Sequence, residues 1–233
     1  MSSFALKMLA MVTMLIDHIG ETFQLQMPYP AYLLCRVVGR LAMPIFCFMV
    51  AEGLFYTKDA RKYLLRLLMF ALVSEAPFDR LFMGGWLEFS YQNVGFTLLL
   101  GFLGILLFDS FAAQGRKTAA LISILAVGLA AMFIRSDYTI YGIYYVFIFY
   151  YFRGKNQGRT IALAAGVLLC SVDIWMIGDW RFATASLAAV LAAIPIGLYN
   201  NERGRDGQAM RMAFYAFYPG HLLILYAASL LVG

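Results

Sequence analysis

The chain runs to 233 residues, of which 63% are apolar and only 13% charged. A soluble globular domain carries about 25% charged residues, so the composition excludes a soluble enzyme and predicts an all-α polytopic membrane helix bundle. The net charge of +5 is no nucleic-acid signature, because the basic residues cluster at the ends of apolar runs, and no nucleic-acid partner is expected.

Crossing a bilayer takes about 20 apolar residues. Apolar runs fall near 4–23, 31–56, 63–83, 93–113, 118–135, 138–152, 160–177, 182–199 and 211–231. With short connections these make about nine transmembrane helices, in a single domain over 1–233 with no internal repeat. Several runs are only about 15–18 residues long, so merging or re-entrance of one segment also fits. The first run lacks a small-residue cleavage site, and Gly20-Glu21-Thr22-Phe23-Gln24 follows it directly. It reads as a retained signal-anchor helix.

The basic residues set the orientation. Lys7 opens the first span, and Lys58, Arg61, Lys62 and Arg66 follow the second. Arg116 and Lys117 follow the fourth, Arg153, Lys155 and Arg159 the sixth, and Arg203, Arg205 and Arg211 the eighth. Thirteen of the 18 basic residues thus fall on one side, and the positive-inside rule makes the N-terminus cytoplasmic and the C-terminus external.

Against this apolar background the first span carries Asp17-His18. A carboxylate at a helix centre costs roughly 2.5–3.5 kcal/mol on insertion scales, and such a residue is a functional candidate by default. His18 lies about fourteen residues into the helix, roughly 21 Å along its axis, toward the external face. Neighbouring helical residues diverge by about 100°, so Asp17 is expected to meet a cation on another helix rather than to orient His18. Glu21, three residues beyond His18, is placed to share its face.

The second span carries Arg36 and Arg40, four apart on one face and at the depth of Asp17 and His18. Buried guanidinium groups demand carboxylates or an anionic ligand. A structural ion pair between Asp17 and Arg40 is the competing account. Pro44 predicts a kink beside this site. Glu52-Gly53 lies nearer the cytoplasmic end.

In the last span, His221 follows Pro219-Gly220, which suggests a local break exposing backbone toward a cavity. The histidines are two in number, and both fall inside spans. A neutral histidine near an external opening suits general-base activation of an incoming nucleophile. Arginines suit an anion or a developing oxyanion. The loop Tyr199-Asn200-Asn201-Glu202-Arg203-Gly204-Arg205 is fit to receive phosphates, although positive-inside topology accounts for its charge equally well. Cys35, Cys47 and Cys170 show no metal spacing and read as packed thiols, so no metal is expected.

At these residues the chain resembles the TraX family, membrane proteins associated with N-acetylation of conjugative pilin. The likeness lies in Leu6 to Met11 with Met14 to Gly20, in Gly39 to Phe46, and in Glu52-Gly53 with Thr57. It continues in Tyr63 to Leu67, Asn93 with Phe96 to Leu98, Tyr199-Asn200 with Arg203-Gly204, and Phe217 to Leu222. The resemblance implies an acetyl-CoA-dependent transmembrane acyltransferase of the bacterial inner membrane, moving acetyl from cytoplasmic acetyl-CoA to an external amine such as a pilin N-terminus. It makes His18 the catalytic candidate and Asp17 its charged support. Arg36, Arg40, His221, Glu52 and Asn93 become substrate contacts. Arg203, Arg205, Tyr199 and Asn200 become CoA contacts, with only Arg203-Gly204 of the two arginines inside the motif. Spacing fits a covalent acetyl-histidine and direct transfer alike.

Two other classes compete. His18 and His221 would serve a small proton-coupled transporter as relay groups, although no inverted repeat is visible. A non-catalytic assembly factor would use small-residue stretches such as Ala183 to Ser186 to pack a partner's helices.

Overall fold

The computed structural model describes residues 1–205 and 207–232. Its elements are helices: α1 (Ser3–Thr22), α2 (Tyr29–Gly39), α3 (Ala42–Tyr56), α4 (Ala60–Phe82), α5 (Val94–Ala113), α6 (Lys117–Phe133), α7 (Thr139–Tyr151), α8 (Asn156–Met176), α9 (Trp180–Ser186), a 3-10 segment (Leu187–Ala192), α10 (Ala193–Gly197) and α11 (Gln208–Val232). Among the described residues, six helical stretches are long and apolar enough to cross a membrane: Ser3–Thr22, Tyr29–Tyr56, Val94–Ala113, Asn156–Met176, Trp180–Gly197 and Gln208–Val232. α4 has the length but carries six charged side chains, and α6 and α7 are shorter apolar helices.

The bundle is apolar outside and holds its charges inside. Leu121, Ile122, Leu125, Leu129 and Met132 form an exposed stripe on α6, while Asp17, Arg36, Arg40, Glu52, Asp79, Asn93 and His221 are buried. This inversion is what a hydrocarbon solvent selects. α1 packs against α2, α3 and α11, and α3 packs in turn against α5 and α7.

Two expected spans are interrupted, and proline explains both. The run 31–56 is α2 and α3 with a break at Arg40-Leu41. Pro44 has no N–H to give the carbonyl of Arg40, four residues earlier, so the ladder fails there. Pro44 itself lands in the first turn of α3, where the missing donor costs nothing. The run 182–199 passes from α9 through 3-10 turns to α10, and Pro195 likewise withholds a donor from Leu191. At Pro219 the outcome differs from the expected break, since α11 continues unbroken through it.

Close helix approach needs glycine at a few points. A Cβ on Gly20 would stand 2.6 Å from the Cβ of Cys35, and one on Gly39 would overlap the Asp17 carboxylate. α1 and α2 therefore approach closely at these two glycines, which lie against Cys35 and Asp17.

The connection from α6 to α7 is drawn into the protein. Ser136 is fully buried. Its strand-like pairing with Gln92 uses Gln92 N–H to Arg135 C=O (3.1 Å) and Asp137 N–H to Gln92 C=O (2.9 Å). Arg135, Tyr138 and Thr139 all adopt positive φ, at 54°, 60° and 39°. Such conformations cost of order 1–3 kcal/mol each and persist only where surrounding contacts dictate them. Here they carry Asp137 and Tyr138 toward the buried arginines.

Candidate functional site

Asp17 does meet a cation from another helix, and in fact two. Arg40 Nη2 donates to Asp17 Oδ1 and Oδ2 at 2.8 and 2.7 Å, and Arg36 Nη1 lies 3.1 Å from Asp17 Oδ2. Both arginines stand in the last turn of α2 and its cap, where the helix dipole favours positive charge. Arg40 also turns its Nε back to the Arg36 carbonyl at 3.3 Å. Glu21 does not turn to His18 as its spacing suggested; its Oε2 sits 3.0 Å from Arg36 Nη1.

Two carboxylates thus balance two guanidinium groups, which is what burial requires. The ring of Phe182 from α9 covers both, with guanidinium carbons 4.9 Å (Arg36) and 4.8 Å (Arg40) from its centroid. Tyr138 stands 6.0 Å from Arg40. Arg36 Nε is buried with no hydrogen-bond partner among the described residues. Arg36 also lines a cavity of about 210 Å³ with Tyr29, Tyr32 and Arg181.

The two histidines come together. His18 Nδ1 is 2.7 Å from His221 Nε2, the rings lie nearly parallel at 9°, and His221 Nδ1 is 2.9 Å from the Phe217 carbonyl. Phe82 from α4 and Tyr218 from α11 set their rings across His18, at centroid distances of 5.4 and 6.0 Å. Pro219 withholds a donor from the Tyr215 carbonyl, whereas His221 takes the Phe217 carbonyl, two residues further on.

At the opposite end of the bundle lies a second, larger cavity of about 730 Å³, lined among others by Phe48, Tyr56, Arg153, Asn156, Arg159 and Tyr199. Glu52 sits here, away from His18, in a two-pronged pair with Arg153 (2.8 and 3.2 Å). Arg159 is 9% exposed. Its Nη2 donates to the neutral Asn156 amide oxygen at 2.9 Å, and among the described residues no carboxylate lies within ion-pair distance. Leu6 and Ala10 of α1, with Ile45 and Phe48 of α3, form a buried apolar layer along the helices between this end of the bundle and the histidines, and Phe48 also lines the cavity. From Ser3 to His18 the rise is about 22 Å.

Other residues expected as contacts are bonded within the protein. Asn93 caps α5 by accepting Gly95 N–H at 2.7 Å, and its amide bonds Glu75 and the Ala71 carbonyl. Arg203 and Gly204 fasten the loop to the N-terminus: Phe4 N–H reaches the Arg203 carbonyl at 3.1 Å, and a Cβ on Gly204 would press on Ser2 Oγ at 2.6 Å. Arg203 also reaches the Tyr56 carbonyl at 3.3 Å. Asn200 bonds Glu202 and the Met1 carbonyl, and Arg205 is exposed. Of the four expected CoA contacts, Tyr199 lines the cavity. Arg159, Phe182, Asp137 and Tyr138 were missed. Arg159 registered in the sequence as a topology charge, and the other three have no local signal.

The TraX protein family matches residues 2–229. A probable fimbrial assembly protein FimC, serogroup H1, of Dichelobacter nodosus is 29% identical over 98% of this chain and 96% of its own length. An uncharacterized protein, RP591, of Rickettsia prowazekii (strain Madrid E) is 40% identical over 60 residues, 26% of this chain and 22% of that protein. No solved structure matches. Because the family match spans nearly every residue, from the Asp17-His18 helix to the helix that carries His221, the chain belongs to the TraX protein family.

Proposed function

We infer that this protein is an acetyltransferase of the bacterial inner membrane, taking acetyl from cytoplasmic acetyl-CoA and delivering it to an amine at the external face. The whole chain acts as one domain with nine spans, N-terminus inside and C-terminus outside, the interrupted pairs α2–α3 and α9–α10 each counting once. The acceptor is an N-terminal amine of a pilin or fimbrial subunit or a similar amine; the name of the Dichelobacter relative supports that class.

The observation that carries the reading is Arg159: a buried cation with no carboxylate within ion-pair distance among the described residues, lining a cavity whose one acid, Glu52, is already held by Arg153. Such a group calls for an anion, and the phosphates of CoA supply one. The donor's flexible thioester arm then crosses the apolar layer toward His18, whose side chains must yield to it.

At the external half the acceptor nitrogen attacks the acetyl carbonyl carbon. The N–C bond forms, the C–S bond breaks, the amine proton passes to His18, and the departing thiolate recovers it. Arg36 Nε, the buried donor without a hydrogen-bond partner among the described residues, supplies a hydrogen bond to the oxyanion that develops on the carbonyl oxygen.

Purified protein should bind labelled acetyl-CoA and release CoA on adding an amine acceptor. Arg159→Ala should weaken donor binding about tenfold or more, the loss of one charge-assisted hydrogen bond. A wild-type protein that binds no acetyl-CoA would overturn the enzyme and leave an assembly factor as the better account. A C-terminal reporter should read external; a cytoplasmic signal overturns the nine-span count.

A further inference from the structure

The hydrogen bonds around the histidine pair have a direction. A backbone carbonyl only accepts, so the 2.9 Å contact with Phe217 requires His221 Nδ1 to carry a proton. In a neutral ring the other nitrogen, Nε2, is then an acceptor. Its partner at 2.7 Å is His18 Nδ1, which must donate. That leaves the proton of neutral His18 on Nδ1 and the lone pair on Nε2.

A free histidine side chain in water favours the opposite tautomer, so this arrangement has to be imposed, and the chain from the Phe217 carbonyl through His221 imposes it. The rings are held in place besides: His221 stacks on Phe217 at a centroid distance of 4.9 Å and an angle of 18°, and Phe82 and Tyr218 turn their rings across His18. Among the described residues neither histidine touches a carboxylate, and Asp17 and Glu21 are both taken by the arginines.

We propose that His221 is the positioning residue for His18: through the Phe217 carbonyl it locks His18 in the Nδ1–H tautomer and presents Nε2 as the nitrogen that receives the acceptor's proton. When Nε2 takes that proton, the positive charge on His18 is shared through the Nδ1–H···Nε2 bond with His221, and the proton on Nε2 returns to the departing thiolate. The inference rests on the acetyltransferase reading for its role in turnover. The tautomer does not depend on that reading.

The two histidines make the test clean. Protein labelled with ¹⁵N in histidine gives signals from His18 and His221 alone, and nitrogen shifts separate the two tautomers. Both rings of the wild type should carry the proton on Nδ1. In His221→Leu the single remaining ring should shift to the Nε2–H form. Turnover in that variant should fall about 10–100-fold, the range for losing a partner that orients a reactive histidine, while donor KM stays near the wild-type value. His221→Gln, whose amide oxygen accepts the same bond, should recover most of the loss. A wild-type His18 protonated on Nε2, or wild-type turnover in His221→Leu, overturns the proposal. Two Nδ1–H rings in a protein without acetyl transfer would sink the enzyme reading and leave the tautomer assignment standing.

Discussion

Replacing His18 with alanine is expected to abolish acetyl transfer while leaving the bundle folded. General-base catalysis contributes about 10²–10⁴-fold, and turnover should fall by that factor. The structural cost is small, because His18 gives up one hydrogen bond to His221 and edge contacts with Phe82 and Tyr218. A neutral hydrogen bond is worth about 1 kcal/mol net. Thermal unfolding in detergent should therefore shift by only a few degrees, and donor binding at the distant cavity should persist. A variant that still turns over at the wild-type rate removes His18 from the chemistry.

Asp17→Ala should act in the opposite way, as a stability lesion first. Removing Asp17 leaves Arg40 with no carboxylate within ion-pair distance and Arg36 with Glu21 alone. Breaking a buried pair by deleting one partner costs about 3–5 kcal/mol, because the surviving charge stays buried. The double variant Asp17→Ala/Arg40→Met should recover much of that loss, since it removes the stranded charge as well. Gly39→Ala should destabilise by about 1–3 kcal/mol through overpacking, its new Cβ falling on the Asp17 carboxylate. Unfolding midpoints of the four proteins test this together. An unchanged midpoint in Asp17→Ala would mean the ion pair contributes nothing to the fold.

That Asp17 meets a cation on another helix rather than orienting His18 was legible in the sequence because helix geometry is local: adjacent residues point about 100° apart, and Arg36 and Arg40 share a face by their spacing. The helical class was equally legible from composition. Proximity across distant segments was not. Nothing in the sequence places His221 against His18, 203 residues away, or lays Phe182 over two guanidinium groups. The same holds for the inward loop with Asp137 and Tyr138, whose positive-φ residues are ordinary side chains rather than glycines. Pro44 carried the right signal, but its effect appears at Arg40-Leu41, one turn earlier, because a proline disturbs the carbonyl four residues behind it. At Pro219 the same signal misled, since the surrounding helix absorbed it.

The buried layer of Leu6, Ala10, Ile45 and Phe48 also bears on the energetics of the cell. A continuous thread of water from Arg159 to the histidines would be a proton leak, and each charge crossing 100 mV dissipates about 2.3 kcal/mol. On the acetyltransferase reading, this apolar septum across the bundle blocks that short circuit between turnovers. On the same reading the donor arm that parts the septum must also fill it, so that the substrate would serve as its own stopper during the transfer.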